Sequence, residues 1–599
     1  MLDQMKQTGR WDSLKLQWKS GDPNPPHRFW DSDIAKWLEA ACYILTLQPD
    51  PSLAAQVDEA VDNIRNAQHE DGYINTYYTV VEPGKRWTNL SWSHELYDAG
   101  HLFEAALAHN LYCQSRRLLD PLLKYIRYID SVFGLREGHK AGYPGHQELE
   151  LALLKGYEQI GDKSLLVLAN YFLEERGQPR PQGHYFDVEA EARGEAPNPG
   201  PSPKGAPKYS YHQADRRVRD MESIEGHSVR AMYWLTAVSN LARVTKDESL
   251  LEAAERLWDS TTKRKMYVTG GLGGMSEWEG FGPDYVLPNE TGYLETCAAI
   301  GLVFFAYQML LIDPRRTEYA DILERTLYNA VLVGVSLDGK RFFYENPLAT
   351  VGKLYERSAW FDCSCCPPNV ARLIATLGKY VFTVGADDTI YVHLYISCTA
   401  ELTISGGKRI TIVQQCNEPW NGGAKISING PDAHRMKFSL RKPLGAEDFK
   451  VYSEGINISS LELNGRVETY MTGGILTVDF AYSARAISPH PLVLDNRGCI
   501  AFMRGPFVYC AETIDNPQIK DLRAIRIIPG RTPREFVEKR EFSEWGLDPI
   551  VLKVDAIILE DGVRKEDEVT LIPVCLWANR ARSDLRVWLP SLLPDEGLA

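Results

Sequence analysis

The sequence lacks a long apolar run and an excess of positive charge. No stretch approaches the ~18 consecutive apolar residues that a membrane-spanning helix needs. The 66 Lys and Arg residues are outnumbered by 80 Asp and Glu residues, which gives a formal net charge of −14. A protein that binds the phosphate backbone of a nucleic acid needs a basic surface. We therefore expect neither a membrane nor a nucleic acid as a partner.

The start of the chain also lacks an apolar export signal. Residues 1–21 are polar with scattered lysines and contain no apolar segment of the kind found in signal peptides. The eleven cysteines are an odd number for a disulfide framework. Both observations predict a cytoplasmic protein with reduced thiols. Four cysteines lie between positions 297 and 366, which favours a metal-binding or catalytic role, and the other seven are predicted to pack in the core.

Helical periodicity dominates the chain up to about Phe382. Apolar residues recur there at i, i+3 and i+4, mostly in pairs of segments joined by short Gly, Pro or Asp links. This spacing predicts about eleven helices: Ile34–Leu47, Leu53–Ala67, His94–Ala108, Leu111–Phe133, Gln147–Ile160, Lys163–Arg176, Glu225–Thr245, Glu248–Lys263, Tyr293–Leu311, Arg316–Val333 and Ala371–Phe382.

Alternation of apolar and polar residues replaces this period after Ala386 and predicts antiparallel β-structure. A chain of 599 residues is long enough for several domains. We assign residues 1–384 to a helical catalytic domain, 385–490 to a β-sandwich and 491–599 to a second β-sandwich. The Pro- and Gly-rich segment 177–215 is predicted to be a long surface loop near the mouth of the site.

The run FDCSCCPPN gives the sharpest chemical signal. Pro367 and Pro368 suit the first turn of a helix, where a backbone N–H has no partner within the helix. Cys365 and Cys366 would then lie at a helix N-terminus, where the dipole favours the thiolate. This pattern predicts a metal site or an activated nucleophile. Buried structural thiols and a purely structural zinc knuckle are the alternatives.

A zinc site needs about four ligands, so further ligands must come from elsewhere in the helical domain. Glu295 and Cys297 in GYLETCAAI are the best candidates. Residues i and i+2 point about 200° apart on a helix, so these two can bind one ion only at a helix start or in an irregular turn. Cys363 and Cys366 also have the C-x2-C spacing that is common among zinc ligands. The sequence therefore leaves open which of the three CSCC thiols bind the metal.

Several carboxylates could supply acid–base chemistry in the segment EWEGFGPDYVLPNETGYLE, and these are Glu277, Glu279, Asp284, Glu290 and Glu295. A carboxylic acid beside Trp278 and Phe281 could have a raised pKa and act as a general acid. Most loop carboxylates are simply solvated, which is the alternative for each of them.

Three histidines stand at equivalent places, where a loop ends and a helix begins: His94, His146 and His227. A single histidine there is more often a helix cap or a core residue. Three of them at the starts of separate helices are more readily explained if they face one cavity. Tyr344 in RFFYENPL follows the same logic, with aromatic core packing as its alternative.

Nine motifs, in order between about residues 28 and 382, together resemble glycoside hydrolase family 127. They are FWDSDIAKWLEAA, QHEDGYINTYY, SHELYDAGHLFEAA, GHQELELAL, EGHSVRAMY, YVTGG, LPNETGYLETCA, LDGKRFFYENPL and CSCCPPNVARLI. The similarity continues into the β region at MRGPFVYCAE and WANR. The resemblance implies an α+β multidomain fold, in which an (α/α)6 barrel catalytic domain precedes C-terminal antiparallel β-sandwich domains. It also implies a homodimer through the C-terminal part.

The resemblance further implies a retaining exo-glycosidase that releases terminal β-L-arabinofuranosyl residues from a small carbohydrate or glycan. Its Zn²⁺ ion would be held by Glu295, Cys297, Cys365 and Cys366. Cys365 would be the nucleophile, through a thioglycosyl intermediate, and Glu279 the acid/base.

The substrate would contact four further positions that match the family's motifs: His94, His146, His227 and Tyr344. Cys363 has no role among the metal ligands in this comparison. The family also has an extra segment before the region equivalent to residues 7–10, so we expect a barrel that is short at its beginning.

Other functions remain open at this stage. A glycosidase of the same family could act on another rare furanoside. A sugar epimerase or polysaccharide lyase could use a similar helical fold, although an epimerase needs no thiolate cluster and a lyase favours a basic cleft. A non-catalytic carbohydrate-binding protein with a structural zinc is the alternative outside enzymes.

Overall fold

The structure is a computed structural model that describes residues 1–417, 419–430, 436–453, 455–458, 462–471 and 474–592. The chain divides into two compact units. The first comprises Met1–Lys265, Leu272–Gly282 and Ala359–Thr376, and the second comprises Met266–Gly271, Pro283–Ser358 and Leu377–Ala599. Within the described ranges, no helix has both the length and the apolar character to cross a membrane.

Fifteen α-helices occur in the described residues. They are α1 Leu2–Gln7, α2 Arg10–Ser13, α3 Trp30–Leu47, α4 Pro51–Asn66, α5 Thr76–Val80, α6 Glu95–Cys113, α7 Leu119–Val132, α8 Leu149–Ile160, α9 Lys163–Glu175, α10 Tyr185–Ala192, α11 Ser228–Thr245, α12 Glu248–Ser260, α13 Thr296–Ile312, α14 Thr317–Thr326 and α15 Cys366–Ala375.

Two kinds of long helix alternate along the first unit. Helices α3, α6, α8 and α11 are buried around most of their circumference, whereas α4, α7, α9 and α12 bury a single apolar face. Three of the one-faced helices begin with an aspartate whose carboxylate accepts backbone N–H groups of the first turn: Asp50, Asp162 and Asp247. The short Asp-containing links therefore fix where each helix pair turns.

Most of the predicted long helices agree with the structure. The predicted helix Leu111–Phe133 begins too early, because α6 ends at Cys113 and α7 begins only at Leu119, and the short helices α1, α2 and α5 were not predicted. The helical periodicity placed the last helix at Ala371–Phe382, which is wrong at both ends. Helix α15 begins at Cys366, as the two prolines predict, and a 3-10 turn follows it at Leu377–Tyr380.

The predicted surface loop 177–215 is also wrong in part. It contains α10 and buries Tyr211 and His212, since its aromatic side chains provide an apolar surface of their own.

The second unit begins with two buried or partly buried helices, α13 and α14, and continues into strands. The strands are β1 Phe382–Val384, β2 Ile390–Val392, β3 Cys398–Ile404, β4 Lys408–Cys416, β5 Ala424–Asn429, β6 Met436–Arg441, β7 Ala446–Ser453, β8 Ile456–Asn457, β9 Glu462–Leu463, β10 Arg466–Met471, β11 Ile475–Tyr482, β12 Ala484–Ile487, β13 Cys499–Arg504, β14 Phe507–Glu512, β15 Ile525–Ile527, β16 Arg534–Val537, β17 Ile550–Glu560, β18 Val563–Pro573, β19 Leu585–Arg586 and β20 Leu589–Pro590.

These strands form three sheets. The first has the order β1-β2-β6-β10-β9, the second has the order β3-β4-β5-β11-β7-β8, and both lie within residues 382–482. The third contains β12 to β20, with the central order β12-β13-β14-β18-β17-β15. Among the described pairs, β2 and β6 are parallel and the others are antiparallel, so the expectation of purely antiparallel sheets is wrong at that pair. The last seven residues of the predicted second sandwich, 593–599, lie outside the described ranges.

The segment between β18 and β19 supports the loop that carries Tyr344. Phe343 stacks on Trp577 with ring centroids 4.8 Å apart, and both side chains are buried. The Arg357 guanidinium lies 4.5 Å from the Phe343 ring and donates to the carbonyl of Trp577. Aromatic and cation–π contacts of this kind hold a loop in one conformation.

Candidate active site

The three histidines singled out in the sequence lie in one row. His94 is the N-cap of α6, His227 is the N-cap of α11, and His146 shortly precedes α8. The ring centroids of His94 and His146 are 5.6 Å apart, and those of His146 and His227 are 5.7 Å apart. Their common position at helix starts therefore reflects a common location in the fold.

Hydrogen bonds to backbone carbonyls fix the tautomers of two of these rings. The Nδ1 atom of His94 lies 2.9 Å from the carbonyl oxygen of Trp92, and that of His146 lies 3.0 Å from the carbonyl oxygen of Gln147. Because a carbonyl can only accept, both Nδ1 atoms must carry the proton. Desolvation lowers the pKa of His94 to about 3 and that of His146 well below its ordinary value. Both rings are therefore neutral near pH 7, and each Nε2 is an acceptor.

His227 has the opposite tautomer and is paired with Glu279. Its Nδ1 accepts the backbone N–H of Arg230, so the proton of the neutral ring is on Nε2. That Nε2 lies 2.9 Å from Oε2 of Glu279. The hydrogen bond from His227 lowers the pKa of Glu279 below its ordinary value, against the effect of burial. The raised pKa that Trp278 and Phe281 led us to expect for this carboxyl group is therefore wrong in direction.

The backbone around Glu279 holds its side chain in place. Glu279 has a φ of 52°, a left-handed conformation that costs free energy in a residue other than glycine. Its carbonyl accepts from the backbone N–H and the hydroxyl of Ser228, the first residue of α11. The same helix start thus fixes both members of the His227–Glu279 pair.

The CSCC run leads directly into α15. Cys365 is the N-cap, Cys366 is the first helical residue, and Pro367 and Pro368 lie in the first turn, as the sequence predicts. The Sγ atoms of Cys365 and Cys366 are 3.7 Å apart. Cys366 is fully buried, whereas Cys365 is half-buried and so remains accessible.

Glu295 and Cys297 lie at the start of α13. Glu295 is the N-cap with a ψ of 134°, outside the helical region, so the two residues are not on opposite faces of one turn. The backbone N–H of Thr296 donates to the carbonyl of Tyr344 at 3.0 Å, and its hydroxyl donates to the carbonyl of Phe343. The half-buried Tyr344 is therefore held beside this helix start.

Glu295, Cys297, Cys365 and Cys366 form a group in which one ligand atom from each residue lies within 4.8 Å of the others. A tetrahedral zinc ion with Zn–S bonds of about 2.3 Å separates two sulfur ligands by about 3.8 Å. The 3.7 Å between Cys365 and Cys366 agrees with that spacing. Three thiols and a carboxylate are also ligands that suit zinc. Cys363 is not a member of the group.

A second cluster of suitable ligand types was not found from the sequence. It contains His101, Glu104 and Glu148, and all three side chains are buried. Lys155 and Arg372 already form ion pairs with Glu104. These two cations neutralise the cluster, so it does not require a metal ion.

Several aromatic and cationic residues around the histidine row were also missed. The ring centroids of Tyr211 and His227 are 5.5 Å apart, and those of Tyr97 and His146 are 4.4 Å apart. The Arg230 guanidinium lies 4.8 Å from the centroid of the Tyr211 ring. The motif EGHSVR contains Arg230, but nothing in a local pattern distinguishes it from an exposed helix residue.

Known proteins share both sequence and fold with this chain. The sequence profile of the "Beta-L-arabinofuranosidase, GH127 catalytic domain" matches residues 2–379. Profiles of the GH127 middle domain and of the glycoside hydrolase family 127 C-terminal domain match residues 389–472 and 484–590.

One characterised relative and two solved structures show how far the similarity extends. A non-reducing end β-L-arabinofuranosidase from Bifidobacterium longum subsp. longum is 35% identical, over 94% of this chain and 89% of that protein. A GH127 β-L-arabinofuranosidase from Geobacillus stearothermophilus T6 is 38% identical with a TM-score of 0.91, over 98% of this chain and 94% of the other. A further GH127 β-arabinofuranosidase is 33% identical with a TM-score of 0.87, over 99% and 93%.

Matching profiles cover most of the chain, and each of these relatives is aligned over nearly its whole length. The chain is therefore a glycoside hydrolase, an enzyme with a carbohydrate substrate, and it belongs to glycoside hydrolase family 127.

Proposed function

We propose that the protein is a retaining exo-glycosidase that releases non-reducing terminal β-L-arabinofuranosyl residues. The observation that carries this proposal is the group formed by Glu295, Cys297, Cys365 and Cys366 in a chain whose relative has that activity. A half-buried thiol in this group can act as a nucleophile, and the half-exposed Glu279 can exchange protons with a substrate.

We also propose the (α/α)6 barrel and the β-sandwiches that the resemblance implies. The alternation of fully buried and one-faced helices supports the barrel, since inner helices of such a barrel are covered on all sides. The alternating burial along β11 supports a sandwich. The homodimer and the cytoplasmic location stay predictions from the sequence.

In the first step of the proposed reaction, the Sγ thiolate of Cys365 attacks the anomeric carbon and the bond to the leaving-group oxygen breaks. Glu279, which this step requires in its protonated form, donates its proton to that oxygen. In the second step, water attacks the anomeric carbon, the C–S bond breaks, and the Glu279 carboxylate accepts the proton of the water. Two displacements at one carbon retain its configuration. The hydrogen bond from His227 favours the carboxylate form of Glu279 that the second step needs.

The sugar would be bound largely by neutral groups. The Nε2 atoms of His94 and His146 are acceptors, so hydroxyl groups of the sugar would donate to them. The hydroxyl of Tyr344 can donate or accept. A small polyhydroxylated ring suits such a set of partners better than a charged ligand does.

Glu295, Cys297, Cys365 and Cys366 would hold a zinc ion, for which their donor atoms and spacing are suited. A bound zinc ion keeps its thiol ligands deprotonated and oriented near neutral pH. Three thiolates and one carboxylate leave the site with a formal charge near −2, so the ion would be a poor activator of water.

We expect purified protein to contain about one equivalent of zinc per chain. Cys366→Ser should lose most of this zinc, because one of four ligands is replaced by a hydroxyl that stays protonated. Elemental analysis after gel filtration measures the metal, and Cys575→Ser, a buried cysteine outside the group, is the matched control. Fully active protein without zinc would contradict the ligand assignment.

A panel of aryl furanosides tests the substrate directly. We expect hydrolysis of p-nitrophenyl β-L-arabinofuranoside with a kcat/KM at least about tenfold above that of other furanosides, and methanol should yield the methyl β-anomer by retention. Chromogenic assays and NMR of the methanolysis product provide these measurements. A clear preference for another furanoside would favour the alternative substrate within the family, and an α-methyl product would contradict the double displacement.

A further inference from the structure

Arg230, the third residue of α11, is a buried cation that the proposed reaction does not use. Its side chain is 2% exposed. Among the residues that the structure describes, no carboxylate oxygen lies within 4.0 Å of its guanidinium. Burying a guanidinium without such a partner is unfavourable, so other contacts must stabilise it.

The side chain and the backbone of Arg230 together contact each segment that holds one of the three histidines. Its Nη1 donates to the carbonyl of Gly145, the residue before His146, at 2.7 Å. Its backbone N–H donates to Nδ1 of His227. The central carbon of the guanidinium lies 5.8 Å from the centroid of the Trp92 ring. The backbone carbonyl of Trp92 in turn accepts the Nδ1 proton of His94.

Tyr211 completes this set of contacts. Its ring lies 4.8 Å from the Arg230 guanidinium and is stacked on Trp92, with centroids 5.6 Å apart and planes at 23°. The same ring meets His227 edge-on at 5.5 Å. Arg230 and Tyr211 together therefore contact the segments of His94 and His227, at the two ends of the row, and the segment of His146 in its middle.

The segment that holds His146 has little freedom on its other side. The backbone N–H of Gly145 donates to the carbonyl of Leu90 at 3.1 Å, and a Cβ at Gly145 would lie only 2.2 Å from that oxygen. The Gly145 segment is thus enclosed between the Leu90 backbone and the Arg230 guanidinium. Its position, and with it that of His146, depends on both neighbours.

We propose that Arg230 is a positioning residue, which sets the spacing of His94, His146 and His227 through its planar contacts and thereby determines how well the enzyme binds its sugar. Histidines that contact the sugar equally in the ground state and the transition state contribute uniform binding. Loss of their alignment should therefore raise KM more than it lowers kcat. This inference rests on the proposed function for its kinetic readout.

Two substitutions separate geometry from charge. Arg230→Lys keeps the positive charge but loses the planar face and the forked donors, and Arg230→Met loses the charge as well. We expect each to raise KM for the aryl furanoside by about tenfold, with a smaller change in kcat. Arg256→Lys is the matched control, because Arg256 also donates to backbone carbonyls of this unit, those of Met221 and Arg219. If Arg230→Lys has the KM of the wild type while Arg230→Met does not, charge alone is needed and the proposal is wrong.

Ring ¹⁵N spectra of protein labelled on histidine give a readout that needs no hydrolysis. We expect Arg230→Lys to shift the ring signals of His146 and His227, whereas Arg256→Lys should leave them unchanged. Unchanged ring signals in Arg230→Lys would overturn the positioning role, whether or not the protein hydrolyses an arabinofuranoside. If the Arg230 variants do not fold, Tyr211→Leu replaces them as the test, because it removes the aromatic ring beside the guanidinium. It should give the same increase in KM and the same shifts of the histidine ring signals. A wild-type KM together with wild-type ring signals would overturn the proposal.

Discussion

Cys365→Ser is expected to reduce hydrolysis of p-nitrophenyl β-L-arabinofuranoside by about 10⁴-fold or more. A serine hydroxyl has a far higher pKa than a thiol, and it would be almost entirely protonated at neutral pH. Cys365 is the half-buried member of the Cys365–Cys366 pair, so its sulfur is the accessible one. Steady-state kinetics would measure the loss of activity, and circular dichroism would show that the fold is retained.

Cys363→Ser provides the matched control for this substitution. Cys363 is also half-buried and belongs to the same short run, but it is not in the group of potential metal ligands. We expect its activity to stay within about threefold of wild type. Near wild-type hydrolysis by Cys365→Ser would show that Cys365 is not the nucleophile. Equal losses in both variants would mean that the run matters only for local structure.

Glu279→Gln is expected to slow substrates in proportion to the basicity of their leaving groups. An alkyl glycoside needs a proton on the departing oxygen and should lose about 10²- to 10⁴-fold, whereas p-nitrophenolate can leave with little assistance. The amide oxygen of glutamine can still accept from Nε2 of His227, so the local geometry should be kept. The comparison requires kcat/KM for a series of aryl and alkyl arabinofuranosides.

Glu277→Gln is the control for Glu279→Gln. Glu277 lies in the same loop but is exposed, and it should leave both classes of substrate unaffected. An equal loss for good and poor leaving groups in Glu279→Gln would contradict an acid role. Rescue of Glu279→Gly by azide, which can replace the missing carboxylate as an external base or nucleophile, would further support the assignment.

Much of the fold follows from local patterns in the sequence. The spacing of apolar residues predicts the long helices of the first unit, and the Asp-containing links predict where α4, α9 and α12 begin. The two prolines after CSCC predict the start of α15. Each of these features depends on residues within one or two turns, so neighbours in the sequence are sufficient to determine it.

Features that depend on distant residues could not be predicted in this way. The ionisation of Glu279 is set by His227, 52 residues earlier, which reverses the pKa shift expected from Trp278 and Phe281. The segment 177–215 is drawn into the core by residues far along the chain, since its Tyr211 stacks on Trp92 with ring centroids 5.6 Å apart. The parallel pairing of β2 with β6 likewise joins strands that are far apart along the chain.

The sequence by itself determined the class of the protein, the residue types of its site and their positions at helix starts. Only the tertiary structure decided which tautomer each histidine adopts, which carboxylate is paired with His227, and that Arg230 contacts all three histidine segments. The physical reason is that helix starts arise from local hydrogen bonds, whereas protonation and orientation depend on the buried groups that folding brings into contact.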